Sequence, residues 1–163
     1  MGEILVAFAA KAGSAAEVAM AIAEALRKAG NTVDLRRARD VREPISRWGC
    51  VVLGAPIYSG QWHRDAHLFL TRHRGELGGV PVAVFGMGPR SPEEEAWQRS
   101  RNQLDRALAK RRGLTPVAKV VFGGVDPPKR RQATRRDLRD WEAIERWARE
   151  VSAIAASRPA SPA

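Results

Sequence analysis

The sequence predicts an α/β protein, a three-layer α/β/α sandwich on a five-stranded parallel sheet. Three observations support this: short apolar runs alternate with helical patterns, most runs show little polar alternation, and the links are short. Apolar runs without alternation are typical of strands covered by helices on both faces. Alternating strands and helices form right-handed βαβ units and therefore a parallel sheet. The 163 residues suffice for one domain with a buried core.

Five runs rich in Val, Ile, Leu and Phe are predicted to form the strands. They are Ile4–Ala9, Thr32–Leu35, Cys50–Ala55, Pro81–Phe85 and Val117–Phe122. The second run alternates apolar and polar residues, which is typical of an edge strand. Cys50 is predicted to be a buried, inert thiol. Because it is the only cysteine, an internal disulfide and a cysteine-rich metal site are excluded.

Helical patterns fill most of the links between the strands. The predicted helices cover residues 15–29, about 65–77, about 91–112, and a segment that begins near 137. Ser91 and Pro92 provide a cap and a first-turn proline for the third of these helices. The link at 40–48 contains Pro44 and allows at most one or two helical turns. The domain is predicted to span 1–156, and the end of the chain, 157–163, to fray.

A ligand is expected at three loops that follow the first, third and fourth strands. In an open α/β sheet, ligands bind outside the carboxyl ends of the strands, where the strand order reverses. The candidate binding residues in these loops are Ala10, Lys11, Ala12, Gly13, Ser14, Ala15, Pro56, Ile57, Tyr58, Ser59, Gly60, Trp62, Gly86, Met87 and Gly88.

The first loop enters a helix through a single glycine, Gly13. It lacks the three spaced glycines of a dinucleotide-binding fingerprint. Free backbone N–H groups at the start of that helix suit a phosphate or another anion. An ordinary strand-to-helix turn has the same pattern, so both interpretations stay open from this loop alone.

Three segments together resemble the flavodoxin-like family. They are Ile4–Phe8 leading into Gly13-Ser14, the stretch Val52–His63, and Asp140–Ile144. Within the family, the chain is similar to the branch that contains the menaquinone-dependent protoporphyrinogen dehydrogenases. The resemblance covers nearly the whole chain and implies a strand order of 2-1-3-4-5 with FMN as cofactor. It also implies that the phosphate binds the first loop and the isoalloxazine lies between the other two.

The first loop departs from the family pattern, Thr/Ser-x-Thr-Gly-x-Thr. The matching positions are Ala10, Ala12 and Ala15, so only Ser14 keeps a hydroxyl, and Lys11 supplies a compensating charge. Each lost hydrogen bond to a charged group removes about 1.5–3 kcal/mol. Weakened FMN binding is therefore expected. The alternative is a module with a degenerate phosphate loop that has lost FMN and serves as a binding or regulatory protein.

The link between the last strand and the last helix, residues 123–136, is a second departure. Characterised members of the menaquinone-dependent branch carry a long, partly hydrophobic insertion here, associated with membrane and quinone contact. In this chain the link is short, hydrophilic and basic. Porphyrinogen oxidation at a membrane is therefore disfavoured.

Aromatic and histidine side chains supply the remaining candidates. Tyr58 and Trp62 are expected to stack on an isoalloxazine, although Trp62 could instead pack at the start of the helix predicted at about 65–77. His63 is expected to be a cap or a surface residue. His67 and His73 lack partners at metal-ligand spacing, so no metal site is predicted. No catalytic acid, base or hydrolase nucleophile is identified.

The net charge of +10 is unusual, and Arg-Arg pairs recur at 36–37, 111–112, 130–131 and 135–136. A basic face could bind nucleic acid, anionic lipid or an acidic redox partner, or could reflect only a preference for arginine. We expect an acidic redox protein or small-molecule acceptor rather than nucleic acid. No stretch approaches the roughly 20 apolar residues of a membrane span. The prediction is a cytoplasmic FMN-binding redox protein, either an electron carrier or an oxidoreductase.

Overall fold

The structure, a computed structural model, describes residues 2–10, 13–126 and 136–157. Its elements in chain order are β1 (Glu3–Phe8), α1 (Ser14–Lys28), β2 (Thr32–Arg37), β3 (Cys50–Tyr58), β4 (Gln61–Trp62), α2 (Arg64–Arg72), β5 (Val82–Met87), α3 (Glu94–Ala109), β6 (Ala118–Phe122) and α4 (Trp141–Ser157). Two single turns of 3-10 helix occupy the proline-containing link between β2 and β3. Lys11, Ala12, most of the basic link and the end of the chain from 158 lie outside the described residues.

The main strands form a parallel sheet in the order β2-β1-β3-β5-β6, and the two-residue β4 pairs antiparallel with β3. With β4 left aside, this is the expected order 2-1-3-4-5, which is confirmed. Phe8 of β1 pairs with Gly54 of β3, and Pro56 of β3 pairs with Met87 of β5. The carboxyl ends of these three central strands therefore lie side by side, and the strand order reverses between β1 and β3.

Helices cover both faces of the sheet, as a three-layer sandwich requires. One core layer packs α2 and α3 on the sheet through side chains such as Phe69, Leu70 and Leu104. The opposite layer packs α1 and α4 through side chains such as Leu26 and Ile144. Cys50 is 1% exposed in this second layer, which confirms a buried thiol. No helix in the described ranges is both long enough and apolar enough to cross a membrane.

Several elements begin or end elsewhere than predicted. β3 continues to Tyr58 and β5 to Met87, because backbone pairing extends both strands beyond their apolar runs. α2 ends at Arg72, ahead of a segment that contains three glycines, which are poor helix formers. α3 begins at Glu94, since the Ser91 hydroxyl accepts a hydrogen bond from the Glu93 amide at 3.3 Å and forms a turn before the helix.

Candidate functional site

The N-terminus of α1 is open at the carboxyl edge of the sheet. Gly13 precedes the helix with a φ of 86°; among the described residues, no side chain caps the helix and no atom lies within 4 Å of a Cβ built at this position. The first helical hydrogen bond runs from the Glu17 amide to the Gly13 carbonyl at 3.0 Å. The amides of the preceding helical residues, Ser14, Ala15 and Ala16, therefore have no acceptor within the helix. A 15-residue helix that presents free amides in this way favours an anion.

An acidic residue in the first turn of α1 is neutralised by an arginine from outside the helix. Glu17 lies 3.3 Å from Nη1 of Arg139, and Arg139 also pairs with Asp137 at 2.7 Å. The hydrogen bond to Asp137 raises the pKa of Arg139, so the guanidinium stays charged. Because Glu17 is paired, its carboxylate repels an anion at the helix N-terminus less than a free carboxylate would.

The second loop is a tight β-hairpin formed by β3 and β4. Ile57 pairs with Trp62 and Tyr58 pairs with Gln61, so Ser59 and Gly60 form a two-residue turn. Their φ angles are 48° and 79°, the combination that type I′ hairpin turns require. Ser59 is the one non-glycine residue with positive φ in the part of the chain that the structure describes. The segment was predicted to be a loop after the third strand, although a Ser-Gly pair is a recognised turn signal.

The hairpin places the two aromatic candidates, Tyr58 and Trp62, in different environments, one at the surface and one buried. Tyr58 stays at the surface with 38% of its area exposed, and its ring centroid lies 6.5 Å from that of His63. Trp62 is 2% exposed, and its indole N–H donates to the Ala55 carbonyl at 3.2 Å. Trp62 therefore packs at the start of α2 and leaves no free face for stacking. His63 caps α2, since its Nδ1 accepts a hydrogen bond from the Asp65 amide at 3.0 Å.

The third loop begins later than predicted, because Gly86 and Met87 belong to β5. Met87 is 3% exposed and packs in the core beneath α1 and α4. A Cβ on Gly86 would lie 3.1 Å from Cδ1 of Ile57, and a Cβ on Gly88 would lie 2.4 Å from Oγ of Ser100. Close packing against Ile57 accounts for Gly86, which is buried, whereas Gly88 packs against Ser100 on one side and stays partly accessible at the edge of the sheet.

The candidate residues fall into three groups. Those buried in the structure are Ala15, Pro56, Trp62, Gly86 and Met87. Those at least partly accessible at the edge of the sheet are Ala10, Gly13, Ser14, Ile57, Tyr58, Ser59, Gly60 and Gly88. Lys11 and Ala12 lie outside the described residues. The accessible group, together with the buried backbone of Ala15 at the helix start, is the candidate site.

An open cavity of about 560 Å³ lies between the hairpin and the end of β5. Gly60 and Gly88 line it, together with residues that the sequence analysis missed: Arg90, Ser91, Arg99, Asp126 and Arg136. Asp126 and Arg136 meet at 3.5 Å, and their backbones pair at 2.8 Å. The two described ends of the basic link are therefore joined at the same edge of the sheet. No group of three or more His, Cys, Asp or Glu side chains suited to a metal ion occurs within the described ranges.

Tyr58 is the only tyrosine in the chain, and its phenol is affected by the charge of Arg90, which lines this cavity. Burial raises the pKa of its phenol, and the positive charge of Arg90 acts in the opposite direction. Arg90→Gln removes the cation that favours the phenolate, so we expect the pKa of Tyr58 to rise further. An absorbance titration of tyrosinate formation measures this shift, with circular dichroism confirming that the protein stays folded.

Arg99→Gln is the matched control, because Arg99 lines the same cavity but is not among the charges that act on Tyr58. We expect this variant to leave the Tyr58 titration close to that of the parent. An unchanged titration in Arg90→Gln, or equal shifts in both variants, would contradict the assigned role of Arg90.

Comparison with known proteins identifies the family to which this architecture belongs. A model of the flavodoxin domain matches residues 5–142. The protoporphyrinogen IX dehydrogenase [quinone] of Escherichia coli strain K12 is 24% identical over 170 residues, covering 91% of this chain and 93% of that protein.

Solved flavodoxins have the same fold. Oxidised flavodoxin 1 from Bacillus cereus aligns with a TM-score of 0.61 and 21% identity, over 91% of this chain and 95% of that one. A Fusobacterium nucleatum flavodoxin bound to flavin mononucleotide aligns with a TM-score of 0.59 and 16% identity, over 94% of this chain and 99% of that one. The family match covers most of the chain, from β1 to the start of α4, and the chain belongs to the flavodoxin domain family.

Proposed function

We propose that the protein binds FMN at the carboxyl edge of the sheet and uses it as a redox centre, as an electron carrier or an oxidoreductase. The observation that carries the proposal is the open N-terminus of α1 beside the hairpin at the end of β3. β1 and β3 are held together here, since the Ala9 amide donates to the Gly54 carbonyl at 2.9 Å. Membership of the flavodoxin domain family supports redox function, and one structural neighbour is described as bound to flavin mononucleotide.

The residues at the start of α1 fit a phosphate group. The amides of Ser14, Ala15 and Ala16 point out of the helix, and the Ser14 hydroxyl lies at the same end. The positive φ of Gly13 turns the chain into the helix, and no side chain at that residue occupies the approach. Backbone donors and the helix dipole therefore remain available although alanines replace three of the family's hydroxyl residues.

The residues proposed to hold the isoalloxazine are Tyr58, Ser59, Gly60 and Gly88. Tyr58 offers an aromatic surface at the rim, and the type I′ turn fixes the backbone of Ser59 and Gly60. A bound FMN would supply the one- and two-electron chemistry, while the protein supplies orientation and electrostatics. These residues would hold the isoalloxazine in one orientation and limit the access of water to it.

Charge supports a partner with acidic groups. Arg90, Arg99 and Arg136 line the cavity at the candidate site, with Asp126 as the acidic residue among its lining side chains. A positive surface attracts a negatively charged protein or small molecule and speeds their encounter. We propose that electrons are exchanged with such a partner, and that the protein works in the cytoplasm.

FMN and riboflavin titrations of the purified protein test the flavin proposal. The two ligands share the ring, but only FMN carries the phosphate that α1 is proposed to bind. We expect saturable quenching of flavin fluorescence, with FMN binding about tenfold or more tightly than riboflavin, since one hydrogen bond to a charged group is worth about 1.5–3 kcal/mol.

Two results would contradict the proposal in different ways. Equal affinities for FMN and riboflavin would show that α1 does not bind the phosphate. The absence of binding at high micromolar FMN would favour the alternative, a flavodoxin-like module that has lost its cofactor.

A further inference from the structure

A second cavity of about 560 Å³ lies between the hairpin and the C-terminal end of α3, and it adjoins the first cavity at Gly60 and Gln103. We call it the basic groove. Its lining residues are Ser59, Gly60, Gln61, Trp62, His67, Gln103, Arg106, Ala107, Lys110 and Arg111. The groove belongs to the α2 and α3 layer, whereas the helix N-terminus proposed to bind the FMN phosphate belongs to the opposite layer.

The positive charges of the basic groove lack counter-charges. No carboxylate is among its lining residues. Within the described part of the chain, the side chains of Arg106 and Lys110 make no hydrogen bond or ion pair. By contrast, Lys119, beyond the end of α3, pairs with Asp105 at 2.6 Å. The groove therefore holds three cations that the described residues leave uncompensated.

Arg111 is fixed in place by neutral partners. Its Nη1 donates to Oγ1 of Thr71 at 2.7 Å, and its Nη2 donates to Nδ1 of His67 at 3.3 Å. Its Nε is buried and has no hydrogen-bond partner. Arg111 is therefore held in position at the groove without a carboxylate among the lining residues to balance its charge.

The position of these cations has a partial structural explanation. Basic residues at the C-terminal end of a helix complement the negative end of its dipole, which accounts for cations near Lys110. It does not account for Arg106 and Arg111 lining one cavity. An anion in the groove would offset the repulsion among the cations and offer acceptors to the guanidinium groups.

We propose that the basic groove binds small molecules that carry two or more negative charges in phosphate or carboxylate groups. The guanidinium groups of Arg106 and Arg111 and the ammonium group of Lys110 supply the charge. Gln61 and Gln103 add neutral donors at the side facing the hairpin. The groove shares Ser59 and Gly60 with the proposed flavin site, but its charged groups belong to the groove alone, so the proposal does not rest on FMN binding.

His67 gives the site a spectroscopic reporter. Burial lowers the pKa of His67, and the positive charges of Arg111 and Lys110 lower it further. An anion bound between these cations offsets their effect, so the pKa of His67 should rise on binding. His63 and His73, the other histidines, lie outside the groove and serve as internal references.

Pyrophosphate and citrate are the probes, titrated at constant ionic strength so that general screening stays fixed. We expect saturable binding in both titrations, with NMR shifts concentrated at Ser59, Gly60, Gln61 and the Trp62 indole. The pKa of His67 should rise on binding, because the anion offsets the nearby positive charges. Binding of pyrophosphate alone would support the proposal and narrow it to phosphates, and binding of citrate alone would narrow it to carboxylates.

A pair of double variants distinguishes binding in the basic groove from general attraction by the positive charge of the protein. Arg106→Gln/Lys110→Gln should weaken binding about tenfold or more, because at least one charge-assisted hydrogen bond is lost. Arg146→Gln/Arg149→Gln removes the same charge from exposed positions on α4, in the opposite layer, and should leave affinity nearly unchanged. Equal losses in both variants, or no saturable binding of either probe to the parent, would overturn the proposal. Binding of a DNA duplex without binding of either small anion would also overturn it.

Discussion

Threonine at positions 10 and 12 will tighten FMN binding by about a hundredfold, if α1 holds the phosphate. Two added hydroxyls can each donate a hydrogen bond worth about 1.5 kcal/mol or more to a charged group, and about 1.4 kcal/mol corresponds to tenfold in affinity. Ala10 is partly accessible at the end of β1. Fluorescence titration of Ala10→Thr/Ala12→Thr against the parent measures the gain.

Position 15 is left unchanged in this variant because of its burial. Ala15 is 1% exposed and packs in the core beneath α1, so a larger side chain there would disturb the helix that the test relies on. The matched control is Ala109→Thr/Ala153→Thr, which adds two hydroxyls at exposed positions on α3 and α4. We expect no change in FMN affinity from the control.

Riboflavin distinguishes phosphate recognition from a general effect on the flavin pocket. The gain in the Ala10→Thr/Ala12→Thr variant should vanish with riboflavin, which has no phosphate to accept the new hydrogen bonds. If the parent already binds FMN as tightly as the variant, Ala10 and Ala12 do not weaken FMN binding. A variant with no gain would show that these positions do not face the phosphate.

The fold could be predicted from sequence because its signals are local and strong. Apolar runs such as Val51–Ala55 and Val82–Phe85 identify strands buried on both faces, and the periodicity of α1 identifies its packed side. The continuation of β3 to Tyr58 could not be seen in the same way. It depends on pairing with Gln61 and Trp62 across a turn, and such pairing is a property of the folded chain.

The candidate site was harder to predict than the fold. Trp62 and Tyr58 look alike as aromatic residues after a strand, but the hairpin buries one and leaves the other accessible. Gly86 looks like part of a ligand loop in the sequence, but it is buried in β5 and packs closely against Ile57, whereas Gly88 stays partly accessible at the cavity. The Arg-Arg pair at 111–112 is visible in the sequence, but the basic groove is not, because it brings His67 on α2 next to Arg111, 44 residues later in the chain.

Gly54→Ala is expected to have the largest effect on stability. A Cβ at this position would lie 1.8 Å from Cε2 of Phe85, which is a severe overlap. The ring has little freedom to move, because Phe85 is fully buried and packs against Phe122 and Trp147 with centroids 5.8 and 6.3 Å away. Overpacking of a core costs about 1–3 kcal/mol and occasionally more. We expect a destabilisation at the upper end of this range, about 3 kcal/mol, which would lower the melting temperature by roughly 6–12 °C in a domain of this size.

A double variant identifies the cause of the destabilisation. Phe85→Leu shortens the ring that meets the new methyl group, so Gly54→Ala/Phe85→Leu should be less destabilised than the sum of its single variants by about 1 kcal/mol or more. Gly75→Ala is the control, since a Cβ there meets nothing within 4 Å and its φ is not positive. If Gly54→Ala melts at the same temperature as Gly75→Ala, the Phe85 ring can move away from the new methyl group, and the expected overlap is wrong.

The same contact connects the core to the candidate site. The Gly54 carbonyl accepts the hydrogen bond from Ala9 that fixes the end of β1, and β3 continues from Gly54 to the hairpin that carries Tyr58. Displacement of Phe85 or of β3 would therefore shift the first loop relative to the second. We accordingly expect Gly54→Ala to weaken FMN binding even below its melting temperature, and the control Gly75→Ala to leave both FMN affinity and stability nearly unchanged.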